Sequence, residues 1–372
     1  MEESSGNGEG TMEKLNVLFL TKYGEQAASS RYRTFQYLDD LKKNGIEATI
    51  SPLMSNGYIH RLYAGQSVTL ERMRGYFKRI TMLLRSRSYD LIWIEKEALP
   101  WIPHPIEQML LNGRTPYILD YDDAIFHNYD HHPKKWVRTL LSRKIPQLMK
   151  KAALVVAGNP YLAAFAEQSG GRSHILPTVI NLDKYPVERK SSSETLTIGW
   201  IGSPSTTKYL YPYVDLLDKL CDRYGSKVRL VGAKPAIPLP DCFEVIPWSE
   251  ETEISELIHM DIGIMPLENN PWEQGKCGFK LIQYMGCFLP VVASPVGVNK
   301  DIVSHGENGF LASSPDEWEH ALRQLLQSGP MRHTMGILGR ARVEQSYALT
   351  QTSASLLELI RNVAKEDCRA SQ

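Results

Sequence analysis

Residues 271–299 read PWEQGKCGFKLIQYMGCFLPVVASPVGVN, and their order of loop, helix, strand and turn decides the fold. Gly275 and Gly278 flank Lys276 in the loop. The helix is expected over 279–287, with Lys280 and Gln283 about one turn apart on a shared side. Residues 289–293 (LPVVA) form a short apolar strand, and 294–297 (SPVG) turn the chain back. A glycine loop feeding a helix N-terminus presents unpaired backbone N–H groups and the positive end of the helix dipole, which suits an anion. Lys276 and Lys280 add full charges there; the same pattern also describes a surface loop with two solvated lysines.

Working outward, the same rhythm fills the chain. Apolar strands are expected at 14–20, 45–50, 89–94, 117–120, 154–158 and 175–181, and again at 196–201, 227–232, 243–247 and 261–266. Between the first two lies a loop, TKYGEQAASSRYR (21–33), and a helix reaching about residue 44. Strand, loop, helix, strand at this spacing is a βαβ unit and implies a parallel sheet, whose carboxyl edge is where such folds bind ligands. Arg31 and Arg33 sit at that edge, either as solvated helix residues or as partners of an anionic group on donor or acceptor. The strand at 117–120 runs into Asp120-Tyr121-Asp122-Asp123, three carboxylates that would repel one another unless something there needs them. Asp122 or Asp123 serves the hydroxyl of a bound molecule as ligand or base, or else caps the next helix. His127, His131 and His132 match no metal-ligand spacing and are expected at the surface. Further helices are expected at 69–88, 132–151, from 209, at 250–259, 315–327, 330–347 and from 349.

At 372 residues the chain holds two cores. Residues 1–13 are polar and expected to be disordered, 14–190 form one α/β domain, 191–347 a second, and 348–372 a C-terminal helix that packs back on the first. The serine-rich stretch 187–195 ends the linker between them. Five scattered cysteines, none in a CxxC pair, point to free thiols in a reducing compartment, and Cys277 reads as a packing residue. No apolar run is long enough to span a bilayer, and the N-terminus lacks a secretory apolar region, so a cytoplasmic location is expected. The zero net charge hides an asymmetry: residues 14–190 carry 26 Lys and Arg against 16 Asp and Glu. That basic half, with apolar residues set among the cations of 69–88 and 132–151, suits an anionic membrane surface, although a helix packed on its own sheet gives a similar pattern. Nucleic acid is not an expected partner.

The segments GKCGFKLIQYMGCFLPVVASPVGVN (275–299), DIGIMPL (261–267), IVSHGENGFL (302–311), GSPSTTK (202–208) and the late MG…ARVEQSY (335–347) together resemble family 4 glycosyltransferases of the GT-B fold. SSRYR (29–33) and DYDDA (120–124) extend the likeness more loosely into the first half. The resemblance implies two Rossmann-like domains with parallel sheets facing across a cleft, a nucleotide-diphosphate sugar (UDP- or GDP-linked) held mainly by the second, no cofactor or metal, and transfer with retention. The acceptor it implies is a glycan or a polyprenyl-linked glycan, and the setting is cell-surface polysaccharide or glycoconjugate synthesis. By position, Lys208 matches the lysine that binds the donor diphosphate, while the usual arginine five residues earlier is Ser203. The family's paired glutamates fall on Gly275 and Gln283; Gln283 can still bond a ribose hydroxyl, whereas Gly275 has no side chain to do so. Donor contacts are thus expected from Gly202, Ser203, Lys208, Trp248, Glu273, Gly275, Lys276, Cys277, Gly278, Phe279, Lys280 and Gln283, and catalytic roles from Asp122, Asp123, Lys208 and Lys276.

Other classes remain open at this level. A nicotinamide-dependent dehydrogenase would need GxGxxG after a strand, and none occurs. A GT-B epimerase or hydrolase of nucleotide sugars, or a binding protein that lost catalysis with its glutamates, shares the pattern and differs in its products.

Overall fold

The computed structural model describes residues 14–370 apart from 64, 112, 114 and 189–194. The expected disordered tail 1–13 and most of the expected linker 187–195 lie outside those residues. Two sheets of six strands are present. The first contains β1 (Leu15–Leu20), β2 (Ile46–Ile50), β3 (Leu91–Glu95), β4 (Tyr117–Tyr121), β5 (Leu154–Ala157) and β6 (Ser173–Ile175), in the order β2-β1-β3-β4-β5-β6. The second contains β7 (Thr197–Ile201), β8 (Lys227–Val231), β9 (Phe243–Ile246), β10 (Ile262–Met265), β11 (Val291–Ala293) and β12 (Gly309–Leu311), in the order β12-β11-β10-β7-β8-β9.

Every neighbouring pair is parallel. Parallel strands are covered on both faces, which is why LNVLFL and LIWIE are apolar almost throughout rather than alternating. Strand order reverses between β1 and β3 in one sheet and between β7 and β10 in the other, and ligands bind α/β folds at such switch points.

Several local expectations are corrected. The strand expected over 175–181 is confined to Ser173–Ile175, and residues 176–181 form the extended crossing towards the second domain. The helix expected to reach residue 44 is broken into Ala28–Arg33, a 3-10 turn Phe35–Tyr37 and Leu38–Lys43. The one expected at 132–151 is split into Lys135–Leu141 and Lys144–Lys151. The helix expected from 209 is preceded by a 3-10 segment, Pro204–Tyr213, and the α-helix itself is Val214–Tyr224, because Pro212 has no N–H to give an α-helical ladder.

The helix Leu349–Ala370 returns to the first domain: Tyr37 Oη and Thr352 Oγ1 lie 2.8 Å apart, Ser353 Oγ donates to Asp40 at 2.8 Å, and Arg361 donates to Asn44 O at 2.7 Å. The two passages between domains run side by side, with Ile180 N donating to Tyr347 O at 3.0 Å and Leu349 N to Ile180 O at 2.8 Å. One apolar cluster runs from Val17 and Phe19 through Ile180 to Leu281 and includes Ile360 of the returning helix. Ile360→Ala is therefore expected to destabilise the protein by about 3 kcal/mol in urea denaturation followed by circular dichroism, the cost of a buried large-to-small change. Exposed Glu358→Ala should leave the transition where it is.

Candidate functional site

The carboxyl edge of the first sheet holds a dense set of charges. Glu95 ends β3 almost fully buried, accepting from Lys22 N at 3.0 Å and Ser30 Oγ at 2.6 Å. Next in sequence, Lys96 adopts a left-handed backbone, φ 67°, uncommon for a residue with a side chain and costing on the order of 1–2 kcal/mol. That turn brings its ammonium 2.9 Å from Asp122 Oδ1 and 3.8 Å from Asp123 Oδ2. Ser29 Oγ lies 2.5 Å from the other Asp122 oxygen, and Lys96 also donates to it at 3.2 Å.

Burial pushes the Asp122 carboxyl up, but Lys96 and the hydrogen bonds from Ser29 and Lys96 outweigh it and hold the group at about 2. Asp123 is raised, by burial and by Asp122 beside it, with Lys96, Lys276 and Lys22 opposing. The two adjacent carboxyls are thus driven apart, one firmly ionised and one closer to a proton acceptor. Lys22 is lowered by burial and by Lys96.

Arg31 and Arg33 are not solvated. Arg33 forms a buried pair with Asp120 and donates to Leu176 O at 2.7 Å. Arg31 reaches across to the second domain, 3.0 Å from Glu250 and 3.4 Å from Glu253. Tyr32 Oη and Trp248 Nε1 each donate to Glu253 at 2.7 Å. Both arginines are engaged by internal carboxylates, and Trp248 belongs to an interdomain clamp. One histidine also differs from expectation: while His131 is exposed, His127 is drawn inward, with Nδ1 2.9 Å from Asp130 Oδ1 and Nε2 2.8 Å from Tyr161 Oη, its ring stacked on His131 at 4.3 Å. His127, Asp130 and His131 bring three potential ligand atoms within 4.8 Å of one another.

Opposite stands the loop before the helix Phe279–Gly286. Asn159 Nδ2 donates to Lys276 O at 2.9 Å, and Cys277 Sγ donates to Asp122 O at 3.2 Å. A Cβ at Gly275 would fall 2.4 Å from Ala124 Cβ and 2.7 Å from Ala124 N, so no side chain fits where the family pattern has a glutamate. Gly278 starts the helix with φ 65°. Lys276 Nζ is 3.5 Å from Glu273, which is buried and accepts from Tyr209 Oη.

Lys280 Nζ rides 4.1 Å over the Trp200 ring and would meet a Cβ at Gly202 at 2.7 Å, which keeps position 202 a glycine. Burial, then Lys276, pulls Lys280 down to about 7, with Glu273 opposing. Lys208 is exposed, 5.1 Å from the Tyr209 ring, and Ser203 N donates to Thr206 Oγ1 at 3.2 Å at the start of the same loop. Phe279 packs on Tyr32 of the first domain with ring centroids 4.2 Å apart. Gln283 is 3 % exposed, its amide beside the Tyr185 hydroxyl.

The structure thus gathers Asp122, Asp123, Lys276 and Cys277 at one meeting of the domains, and Gly202 with Lys280 beside it. Arg31, Arg33 and Trp248 are committed elsewhere. Lys22, Glu95, Lys96 and Tyr209 were not singled out from the sequence, and Ser29 entered only within SSRYR; for Glu95 and Lys96 the one signal was the Glu-Lys-Glu run ending an apolar strand.

Two parallel-sheet domains with charge gathered at their carboxyl edges define the class of architecture, the GT-B fold. Residues 195–328 match the family described as glycosyl transferases group 1. No curated protein matches the sequence. Among solved structures, HepE of Anabaena in complex with UDP is similar at 16% identity and TM-score 0.64, covering 94% of this chain and all of that one. A sucrose-phosphate synthase from Thermosynechococcus elongatus (14%, TM-score 0.70, 94% and 99% covered) and a glycosyltransferase from Rickettsia africae (13%, 0.66, 95% and 99%) share the fold.

Lys96→Met leaves the largely buried Asp122 without its cation. It is expected to cost about 3 kcal/mol of stability at pH 7, measured by urea denaturation. The lost stability is of the kind present above the ordinary carboxylate range and given up as pH falls towards 2, so the variant and the parent should converge in acid.

Proposed function

We propose that the protein transfers a sugar with retention from a nucleotide-diphosphate sugar, UDP- or GDP-linked, to a glycan or polyprenyl-linked acceptor, without a metal ion, in the synthesis of cell-surface polysaccharide or glycoconjugate. The observation that carries this is the grouping of Lys276 and Lys280 at the start of the helix Phe279–Gly286, with Lys280 Nζ beside Gly202 and Lys276 acting on Asp123 of the facing domain. Breaking a glycosyl–phosphate bond puts negative charge on the departing diphosphate, and lysines with a helix N-terminus stabilise that charge. Lys208 completes the set on the adjoining loop. Gln283, its amide beside the Tyr185 hydroxyl, is the residue proposed to bond a ribose hydroxyl. That HepE was solved with UDP-glucose supports a UDP-linked donor.

In this reading Asp122 stays ionised and Asp123 orients the acceptor hydroxyl. The departing phosphate takes the hydroxyl proton as the C1–O bond to phosphate breaks and the new glycosidic bond forms on the same face. Closing of the domains keeps water from competing. The place of action is the cytoplasm or the cytoplasmic face of a membrane; among the described residues no helix is long and apolar enough to cross one. Because Gly275 stands where the family has a glutamate, a donor-binding protein without turnover is the second reading, and product formation with an acceptor present decides between them.

A thermal-shift screen of nucleotide sugars should reveal one that raises the melting temperature at saturation, since a ligand bound only by the folded state stabilises it. Lys208→Ala is expected to abolish that shift and to lower kcat/KM about a hundredfold; a full shift in the variant removes Lys208 from the site. Donor binding should also take up a proton. Lys280, at about 7, is mostly neutral at pH 8 and must be charged to hold a diphosphate, so affinity falls as pH rises above 7. Calorimetry at pH 8 in buffers of different ionisation enthalpy reads the uptake, which Lys280→Met should remove.

A further inference from the structure

Of the sixteen large apolar side chains exposed among the described residues, ten lie between Leu70 and Leu140. Five belong to the helix Thr69–Leu84: Leu70, Met73, Phe77, Ile80 and Leu84, at alternating steps of three and four. This helix buries Leu83, with Tyr76 and Met82 packed inward, and carries a second apolar seam on its outer side. Its inner face carries Gly75, whose Cβ would lie 2.0 Å from Leu53 O, and fully buried Arg79, while its apolar seam faces outward with Phe77 75 % exposed. Beside it packs the helix His104–Leu111 with Met109 outward, and next to that the pair Lys144–Lys151 and Lys135–Leu141, the latter exposing Trp136 and Leu140. Trp101, held at φ 64°, stands half exposed between, edge-on to Tyr129 and His132.

So many exposed apolar side chains gathered on neighbouring helices need a cover. Its charge selects which. Exposed Arg72, Arg74, Lys78, Arg85 and Arg87 flank the seam with Glu71 alone against them, and residues 132–151 contain no acidic residue. A second copy laid on the seam would bring like charges together, whereas an anionic lipid surface is complementary to it. We propose that this face docks on an anionic bilayer, with Met73, Phe77, Trp136 and Leu140 entering the headgroup boundary. The docked helix is tied to the site: Arg79 donates to Ser51 O at 2.9 Å and Ala98 O at 3.0 Å, and also to Thr21 O, at the carboxyl ends of β2, β3 and β1, next to Lys22 and Lys96. The surface would set the acceptor-side edge of the cleft next to lipid, which rests on the transferase reading; the docking itself does not.

The test is co-sedimentation of the full chain with vesicles of phosphatidylglycerol and phosphatidylcholine, against pure phosphatidylcholine, at two salt concentrations. Binding is expected on the anionic vesicles only and weaker at high salt. Met73→Glu with Phe77→Glu should reduce it about tenfold or more, and Arg74→Gln with Lys78→Gln should flatten the salt dependence, while Ile337→Glu on the second domain changes nothing. Equal binding to both vesicle types, none to either, or a lipid-free dimer lost in the Met73→Glu, Phe77→Glu variant overturns the proposal. The donor-induced melting shift, measured on each variant, checks folding and separates the two readings: vesicle binding without any donor shift sinks the transferase reading alone, and a donor shift without vesicle binding sinks the docking alone.

Discussion

The first domain depends on holding several carboxylates together at one strand edge, Glu95 and Asp120 buried and Asp122 and Asp123 partly exposed. Asp120, Asp122, Asp123 and Glu95 share the end of two adjacent strands, and unpaired they would repel one another and lose their hydration. Two cations make the arrangement possible. Arg33 neutralises Asp120, and Lys96 turns into a left-handed backbone to reach Asp122 and Asp123. Strain at one residue is set against burial of unpaired carboxylates, and the latter is the larger penalty. Cleft geometry depends on this balance, because Asp122 and Ala124 are the surface on which the loop of the second domain rests.

That loop explains a departure from the family pattern that sequence alone leaves unexplained. Gly275 touches Ala124 so closely that the position has no volume for a side chain. Contact between the domains thus occupies the place from which a glutamate would otherwise reach a sugar. Glu273, buried two residues earlier and held by Tyr209 and Lys276, keeps a carboxylate in the neighbourhood on a different tether.

The parallel sheets were legible because apolar runs punctuated by glycine loops leave little freedom: KLNVLFL and YDLIWI can only be strands covered on both faces. The glycine loop and its lysines were legible for the same local reason. The fate of Arg31 and Arg33 was not. Their partners, Glu250 and Asp120, lie far away in sequence, and a helical arginine near a strand end looks the same whether it meets water, a ligand or a buried carboxylate. Lys96 was hidden differently, since nothing in Glu-Lys-Glu announces a left-handed residue that turns its ammonium inward. The break at 142 was legible after all, since Pro146 has no N–H to give residue 142 and its ring crowds that carbonyl, whereas no glycine or proline marks the break at 34.

The paired crossings have a consequence for how the cleft works. The chain passes between domains twice, and Ile180 is stitched to Tyr347 and Leu349 where it does so. Two tethers fastened along one line behave as a door hinge: they resist sliding and separation, and leave swinging about that line as the soft degree of freedom. Swinging about that line traces a single arc, and returns the loop carrying Lys276 to the same place beside Asp122 and Asp123 each time.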